Sequence, residues 1–398
     1  MRSSPHRRPA FLALAAALLA VSSQAISTDS VEARPLSQAA IKSMDAAIAD
    51  MVAKHKVAGY AVAIAKGDRI EFLKTYGMAD IENGAAVTPD TVFRVGSITK
   101  QFTAAGILLL ADRGKLSIYD PLSKYLPDYP NADKVSLYQI LTHTSGLTNY
   151  TGLEFFESTK KLEGTTSEMT KALASITPQF EFTPGTARSY TNTGYFLLGA
   201  VIEKVSGQDF AEFMRANVFE PLGLKNTAID SAGDIVLHRA HGYVSTPEAP
   251  SGFRNAPYDS LTVAGAAGAA RSTIRDMVAW NAALLSGKLL KPATVALMTS
   301  PAKLASGRSA GAEWLPKHQP LPRAPYGLGL GLADSKQRPM VGHGGAISGF
   351  NAALFTYPDP DFTLVILGNT KSATYQFAPL MVEILLSGAS APPPAESP

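Results

Sequence analysis

Phe93-Arg94-Val95-Gly96-Ser97-Ile98-Thr99-Lys100 is the stretch whose reading decides the rest of this chain. A tight Val95-Gly96 approach delivers Ser97 to the start of an apolar run that continues to Arg113, and Gly114 follows as a suitable helix C-cap. Helix positions three apart share a face, so Lys100 can reach Ser97. A serine hydroxyl is a poor nucleophile until a base takes its proton. Lysine acts as that base where burial or nearby cations lower its pKa. A helix N-terminus also favours developing negative charge. The spacing alone is weak, because Ser158/Lys161 and Ser300/Lys303 repeat it. Ser158 lies in a polar Glu/Lys-rich stretch that reads as a solvated face, and Ser300 precedes Pro301 in a loop. Taken alone, Ser97 reads first as an ordinary N-cap serine.

Further along stands Tyr190-Thr191-Asn192. A tyrosine can relay a proton, and an asparagine can bind a substrate carbonyl and a lysine together. Tyr129-Pro130-Asn131 shares the spacing but reads as a turn. Alone, Tyr190 reads as a buried aromatic with a satisfied hydroxyl. The third element is His343-Gly344-Gly345-Ala346, where backbone free of side chains lets a substrate approach a strand edge. A turn with a solvent-facing histidine explains it equally well.

Around these motifs the pattern is strand, helix, strand. Ser37 can cap a helix carrying Ile41, Met44, Ile48 and Met51 on one face, with Gly59 as its stop. Tyr60–Ala65 and Ile70–Tyr76 flank the hairpin signal Gly67-Asp68. The region from about 120 to 260 is mostly helical, and Ala211–Val218 and Met277–Leu285 read as helices. Strands are expected at Tyr326–Leu332, Ala352–Tyr357 and Thr363–Leu367, then a helix from Ala378 to Leu386 with Pro379 in its first turn. Strands at both ends predict an α/β fold: an antiparallel sheet flanked by helices, carrying an inserted, mostly helical region.

The 398 residues, 46% hydrophobic and 17% charged, suit a globular chain with a large core. A formal charge of +3 is too small to argue for nucleic acid. The absence of cysteine excludes disulfides, thiol nucleophiles and zinc–thiolate sites. Arg2, Arg7 and Arg8, an apolar run from Ala10 to Val21, and Ser23-Gln24-Ala25 read as a signal peptide over residues 1–25. A hydrolase domain over 26–387 and a disordered Pro-rich tail over 388–398 complete the expected organisation. Gly307-Arg308-Ser309-Ala310-Gly311 matches the nucleophile-elbow pattern but lacks a preceding buried strand and a following apolar helix. His238 and His241 form only a pair, without the glutamate spacing of a zinc helix. Neither a metal nor a cofactor is expected.

Ser97-x-x-Lys100, Tyr190-x-Asn192 and His343-x-Gly345, in that order, resemble the class C β-lactamase family of serine hydrolases. Ile140-Leu141-Thr142-His143-Thr144-Ser145-Gly146-Leu147, Pro221-Leu222-Gly223-Leu224, Ala264–Asp276, Tyr326-Gly327-Leu328-Gly329 and Gly342–Phe350 extend the resemblance over about residues 40 to 385. It implies Ser97 as the acylated nucleophile, Lys100 as its base, and Tyr190 as the group serving the leaving group and the deacylating water. It further implies Asn192 on the acyl side, the N–H groups of Ser97 and Ala346 as oxyanion donors, and a structural role for His143. The implied substrates are esters, amides or D-amino-acid peptides. β-Lactam hydrolysis, or peptidoglycan sensing without turnover, stand as alternatives. Many relatives carry Lys-Thr-Gly as the third element. Here His343 and Gly344 replace the ammonium and hydroxyl that bind a substrate carboxylate; if the enzyme is nonetheless a β-lactamase, the carboxylate contact comes from elsewhere, an arginine such as Arg323 or Arg338. The expected setting is periplasmic or secreted. The expected partners are a small-molecule or peptide substrate and association with peptidoglycan, with no nucleic acid and no stable protein partner.

Overall fold

Gly59–Lys66 reads GYAVAIAK and is buried almost throughout, the signature of a strand covered on both faces. This strand, β1, turns through Gly67 (φ +59°) into β2, Arg69–Asp80, followed by the short β3, Ala85–Ala86. The remaining strands of the main sheet come from the other end of the chain: β4 (Gly331–Ala333), β5 (Pro339–Ile347), β6 (Phe350–Tyr357) and β7 (Phe362–Gly368). Their order is β3-β2-β1-β7-β6-β5-β4, and the pairings are antiparallel. The two chain ends join at the sheet's middle, where β1 and β7 run from Tyr60 opposite Gly368 to Ala65 opposite Thr363. This computed structural model describes residues 37–161, 163–310, 324–359, 361–371 and 373–387. The expected signal peptide and Pro-rich tail lie outside the described residues.

One face of the sheet is covered by helix α1, Gln38–Ala53, together with the C-terminal helix Ala373–Ser387. Ser37 caps α1 as expected, accepting from Ala40 N at 3.0 Å. The buried stripe is Ala40, Met44 and Ile48, so the helix is rotated to bury Ala40 in place of Ile41. The helix ends at Ala53, and Gly59 opens β1 instead of stopping α1. Pro379 sits inside the C-terminal helix, six residues past its start, not in its first turn.

The opposite face carries the helical insertion. Its central members are α2 (Thr99–Asp112), α3 (Asn192–Ser206), α4 (Leu261–Gly268) and α5 (Ile274–Leu285). The C-terminal helix is therefore α6. Phe102 of α2 lies edge-on to Phe219 and Trp280, with centroids 5.2 and 4.5 Å away, and Trp280 donates its indole N–H to Gln101 at 2.9 Å. These contacts hold α2 against α5 and position what precedes α2. Ala211–Val218 is a short helix to Met214 that widens into a π turn over Arg215–Phe219. Tyr326–Leu332 is not a strand. Gly327 meets the Met298 carbonyl so closely that a Cβ would lie 2.1 Å from it, and only Gly331–Ala333 joins the sheet. Among the described residues, no helix is long and apolar enough to cross a membrane.

Candidate active site

Gly96 (φ +52°) turns the chain into one 3₁₀ turn, Gly96–Ile98, that runs into α2. The Thr99 hydroxyl donates to Gly96 O at 2.6 Å and accepts from Ala270 N at 2.9 Å, pinning this turn to the strand Ala270–Ser272. Ser97 therefore is not a helix cap: Ile98 occupies the N-cap of α2, with no side-chain capping bond. Its hydroxyl is instead committed to two other side chains. Tyr190 O–H donates to Ser97 Oγ at 2.8 Å, and Lys100 Nζ lies 3.3 Å from the same oxygen.

Lys100 is 0% exposed. Its Nζ reaches Asn192 Oδ1 at 2.7 Å and the Ala267 carbonyl of α4 at 2.6 Å, and among the described residues no carboxylate joins it. Burial without a counter-charge pushes the ammonium well below the usual lysine range. The amine also lies 4.8 Å from the Tyr190 ring and 5.5 Å from the Tyr195 ring. Asn192 opens α3 and is fixed from below: its N–H donates to Asn149 Oδ1 at 2.9 Å and its Nδ2 to Thr151 Oγ1 at 3.1 Å.

The third element arrives on β5. Gly345 packs so tightly on the turn before Ser97 that a Cβ there would lie 1.9 Å from Val95 O, and a Cβ on Gly96 would lie 2.7 Å from Ala346 N. Backbone thus meets backbone, bringing Ala346 beside the Ser97 turn. Gly344 faces the other way in the pleat: it pairs with Ala353 and lines a cavity beneath α6.

His343 holds no charge for a substrate. Its Nδ1 lies 2.5 Å from the Gly344 carbonyl, so that nitrogen carries the proton, and Nε2 accepts from Tyr326 O–H at 3.1 Å. Burial, with the nearby Lys100 charge second, lowers its pKa to about 4. Both nitrogens are engaged and the ring is neutral near pH 7.

Beneath these groups lies an aromatic cage that sequence reading missed. His143, fully buried at φ +60°, sits among the rings of Tyr190, Tyr195 and Tyr326 at 4.5, 5.0 and 4.8 Å. Its Nδ1 accepts from Thr191 N at 3.3 Å, which ties it to the backbone between Tyr190 and Asn192. Burial and then the Lys100 charge push it well below the usual histidine range. Tyr195 O–H donates to Leu141 O at 2.7 Å, and the Arg188 guanidinium lies 5.8 Å from the Tyr326 ring.

The competing motifs separate from the site. Ser158 O–H bonds its own helix at Phe155 O, and Ser300 O–H does the same at Ala296 O. Asn131 is a left-handed turn residue at φ +56°. His241 falls within 4.8 Å of Asp80 and Glu82, a group that shares no residue with the site, and His238 is not part of it. Arg338 is held by Asp334 at 2.6 Å and by Glu383 of α6 at 2.7 Å, on the sheet face opposite the helical insertion. Arg323 lies outside the described residues.

A serine hydroxyl held between a buried lysine amine and a tyrosine hydroxyl, on an antiparallel sheet with a helical insertion, defines a serine hydrolase of the acyl-enzyme class. The Beta-lactamase family matches residues 44–380, and the chain belongs to it. It is 28% identical to penicillin-binding protein 4* of Bacillus subtilis (strain 168) over 331 residues, covering 81% of this chain and 70% of that protein. It is 26% identical to a D-aminopeptidase of Gluconobacter oxydans (strain 621H), covering 83% of this chain and 59% of that protein. Among solved structures, a D-stereospecific amidohydrolase from Streptomyces sp. superposes with a TM-score of 0.70 at 27% identity, over 87% of this chain and 99% of that one.

Proposed function

We propose that the enzyme hydrolyses esters and amides lacking a free carboxylate beside the scissile bond, D-amino-acid amides and peptides included, through an acyl-enzyme on Ser97. The observation that carries the reading is Ser97 Oγ lying between Lys100 Nζ and Tyr190 O–H. Neutral Lys100 takes the Ser97 proton as Oγ attacks the carbonyl carbon. The N–H groups of Ser97 and Ala346 receive the oxyanion. Tyr190 gives its proton to the departing alcohol or amine and regains one from the Lys100 ammonium beneath its ring. In the second half water loses a proton to the same pair and attacks the acyl carbon, and Ser97 leaves with its proton restored. Asn192 holds Lys100 and presents Nδ2 toward the acyl side. His343 and Gly345 shape the strand edge that the substrate follows, while Gly344 faces α6.

The lack of a charge at His343 supports the carboxylate-free substrate class. The D-aminopeptidase and D-stereospecific amidohydrolase relatives support the D-configured one. Likeness to a penicillin-binding protein favours, as a second reading, peptides derived from peptidoglycan. Residues 1–25 act as an export signal ahead of one hydrolase domain over 26–387, which places the enzyme in the periplasm or outside the cell.

The test compares kcat/KM for p-nitrophenyl acetate, D-amino-acid amides, a D-Ala-D-Ala peptide and nitrocefin. Esters and amides should lead. Ser97→Ala should lower turnover by roughly 10³-fold or more while the fold persists. His343→Lys should move preference toward nitrocefin by about one to two decades, the value of a charge-assisted hydrogen bond; Gly344 stays as it is, because a side chain there would enter the cavity beneath α6. A wild type that strongly prefers nitrocefin refutes the substrate class. Fluorophosphonate labelling of Ser97 without turnover of any substrate points to a sensor.

A further inference from the structure

Arg94 and Arg271 are direct partners across the strand pair Phe93–Arg94 and Ala270–Ser272. Like charges opposite one another in a sheet repel, so something must hold them. Part of the answer is Asp230, whose side chain is 0% exposed. Its Oδ2 accepts from Arg94 Nε at 3.1 Å and from Arg239 Nη1 at 2.9 Å, and its Oδ1 accepts from Arg271 Nη1 at 2.7 Å. Both carboxylate oxygens are thereby used. Asp234 adds a bond to Arg271 Nη1 at 2.9 Å. Among the described residues three guanidinium groups face two carboxylates, which leaves one positive charge without an ion-pair partner in the cluster.

The unused donors are specific. Arg239 spends its Nη2 on the carbonyls of Ser231 and Asp234, so it is a structural staple. Arg94 engages only Nε, and Arg271 only Nη1. Among the described residues, both Nη atoms of Arg94 and the Nε and Nη2 of Arg271 have no acceptor. These two side chains are mostly covered, at 19% and 16% exposure, so bulk water solvates them incompletely. They border a cavity of about 260 Å³ that Asp230 and Phe350 also line. The Phe350 ring lies 5.8 Å from the Arg94 guanidinium and gives that plane an apolar backing.

We propose that this cavity is a binding site for a small oxyanion, a carboxylate or a phosphate, received by the open edges of Arg94 and Arg271. Guanidinium edges match the paired oxygens of either group. The cavity is large enough, because one water takes about 30 Å³ of liquid volume. The site is separate from the acyl-transfer residues and does not depend on their assignment.

Thermal melts of the full chain test it, in sodium phosphate, sodium succinate and sodium chloride at equal ionic strength. A ligand that binds only the folded state raises Tm saturably. A saturable rise in phosphate or in succinate over chloride is expected, and which salt acts tells the phosphate source from the carboxylate source. Arg94→Gln removes the Arg94 half of the open guanidinium donors, leaving those of Arg271, while Asp230 keeps two guanidinium partners, and it should weaken that rise at least tenfold in concentration. Arg239→Gln should lower Tm in every salt yet retain the anion-dependent rise. Equal melts of the wild type in all three salts overturn the site, even if Arg94→Gln fails to fold. An unchanged response in a folded Arg94→Gln protein overturns it too.

Discussion

In the mechanism proposed above, Lys100 sets the pH at which the chemistry can run. Its pKa is depressed by burial, so the neutral amine that can accept the Ser97 proton forms well below the pH at which an exposed lysine deprotonates. Activity should therefore rise with pH through that lowered pKa and then level off, as a base that must be unprotonated requires. Lys100→Arg should abolish turnover across the whole pH range, because guanidinium does not give up its proton in proteins. Lys100→Ala should cost nearly as much as Ser97→Ala, and the double variant little more, because the pair acts as a unit. A pH–rate profile for each variant checks this. Substantial activity in Lys100→Arg would remove Lys100 as base. At this scale the sequence makes Ser97, Lys100, Tyr190 and Asn192 legible, since each belongs to a short motif. It does not disclose Asn149, Thr151 or Tyr195, which reach the site by long-range packing, and it shows Tyr326 only as part of a motif, without its place against His343. His143 is visible in its motif, but its place under three tyrosine rings is not, because ring stacking leaves no trace in spacing.

Between elements, the decisive contact is β5 against the Ser97 turn. Gly345 permits it, since a methyl group there would lie 1.9 Å from a backbone oxygen that cannot swing away. Gly345→Ala should push β5 back, draw the Ala346 N–H away from the Ser97 N–H, and lower kcat by roughly 10²-fold or more, the value of a lost oxyanion donor. Gly331→Ala is the control. Its added carbon meets its nearest atom at 3.4 Å, an ordinary contact, so activity should hold. Steady-state kinetics on the two variants decide, and equal activities would sink the argument. The same glycines explain which elements the sequence conceals. Pro339–Ile347 carries three glycines in nine residues, so it lacks the β-branched alternation that marks a strand, yet it is one of the longer strands of the sheet. Tyr326–Leu332 has apolar alternation but bends at Gly329 (φ +81°), where a Cβ would lie 2.9 Å from Lys100 O. Tyr60–Ala65, Ala352–Tyr357 and Thr363–Leu367 show through because their apolar residues are not broken by such demands.

At the scale of the whole molecule, the sheet depends on both ends of the chain. β7 and β1 meet at its centre, and α6 seals the face that α1 covers only in part. Phe377 stacks on Tyr60 with centroids 5.9 Å apart, and Ala378, Met381, Val382, Ile384 and Leu385 are buried behind it. Burying a large apolar side chain contributes about 1.5–3 kcal/mol. Five such residues together are comparable to the roughly 5–15 kcal/mol that separates a folded domain from its unfolded chain. A chain ending at residue 372 should therefore lose its cooperative melt and its ester turnover together, although every residue proposed for catalysis remains in it. A chain ending at residue 387 keeps α6 whole and should melt within a few degrees of the full-length protein. Circular dichroism melts of the two truncations separate the cases. If the shorter chain still unfolds cooperatively, the sheet's closure does not depend on α6, and the insertion and sheet alone hold Ser97 in place.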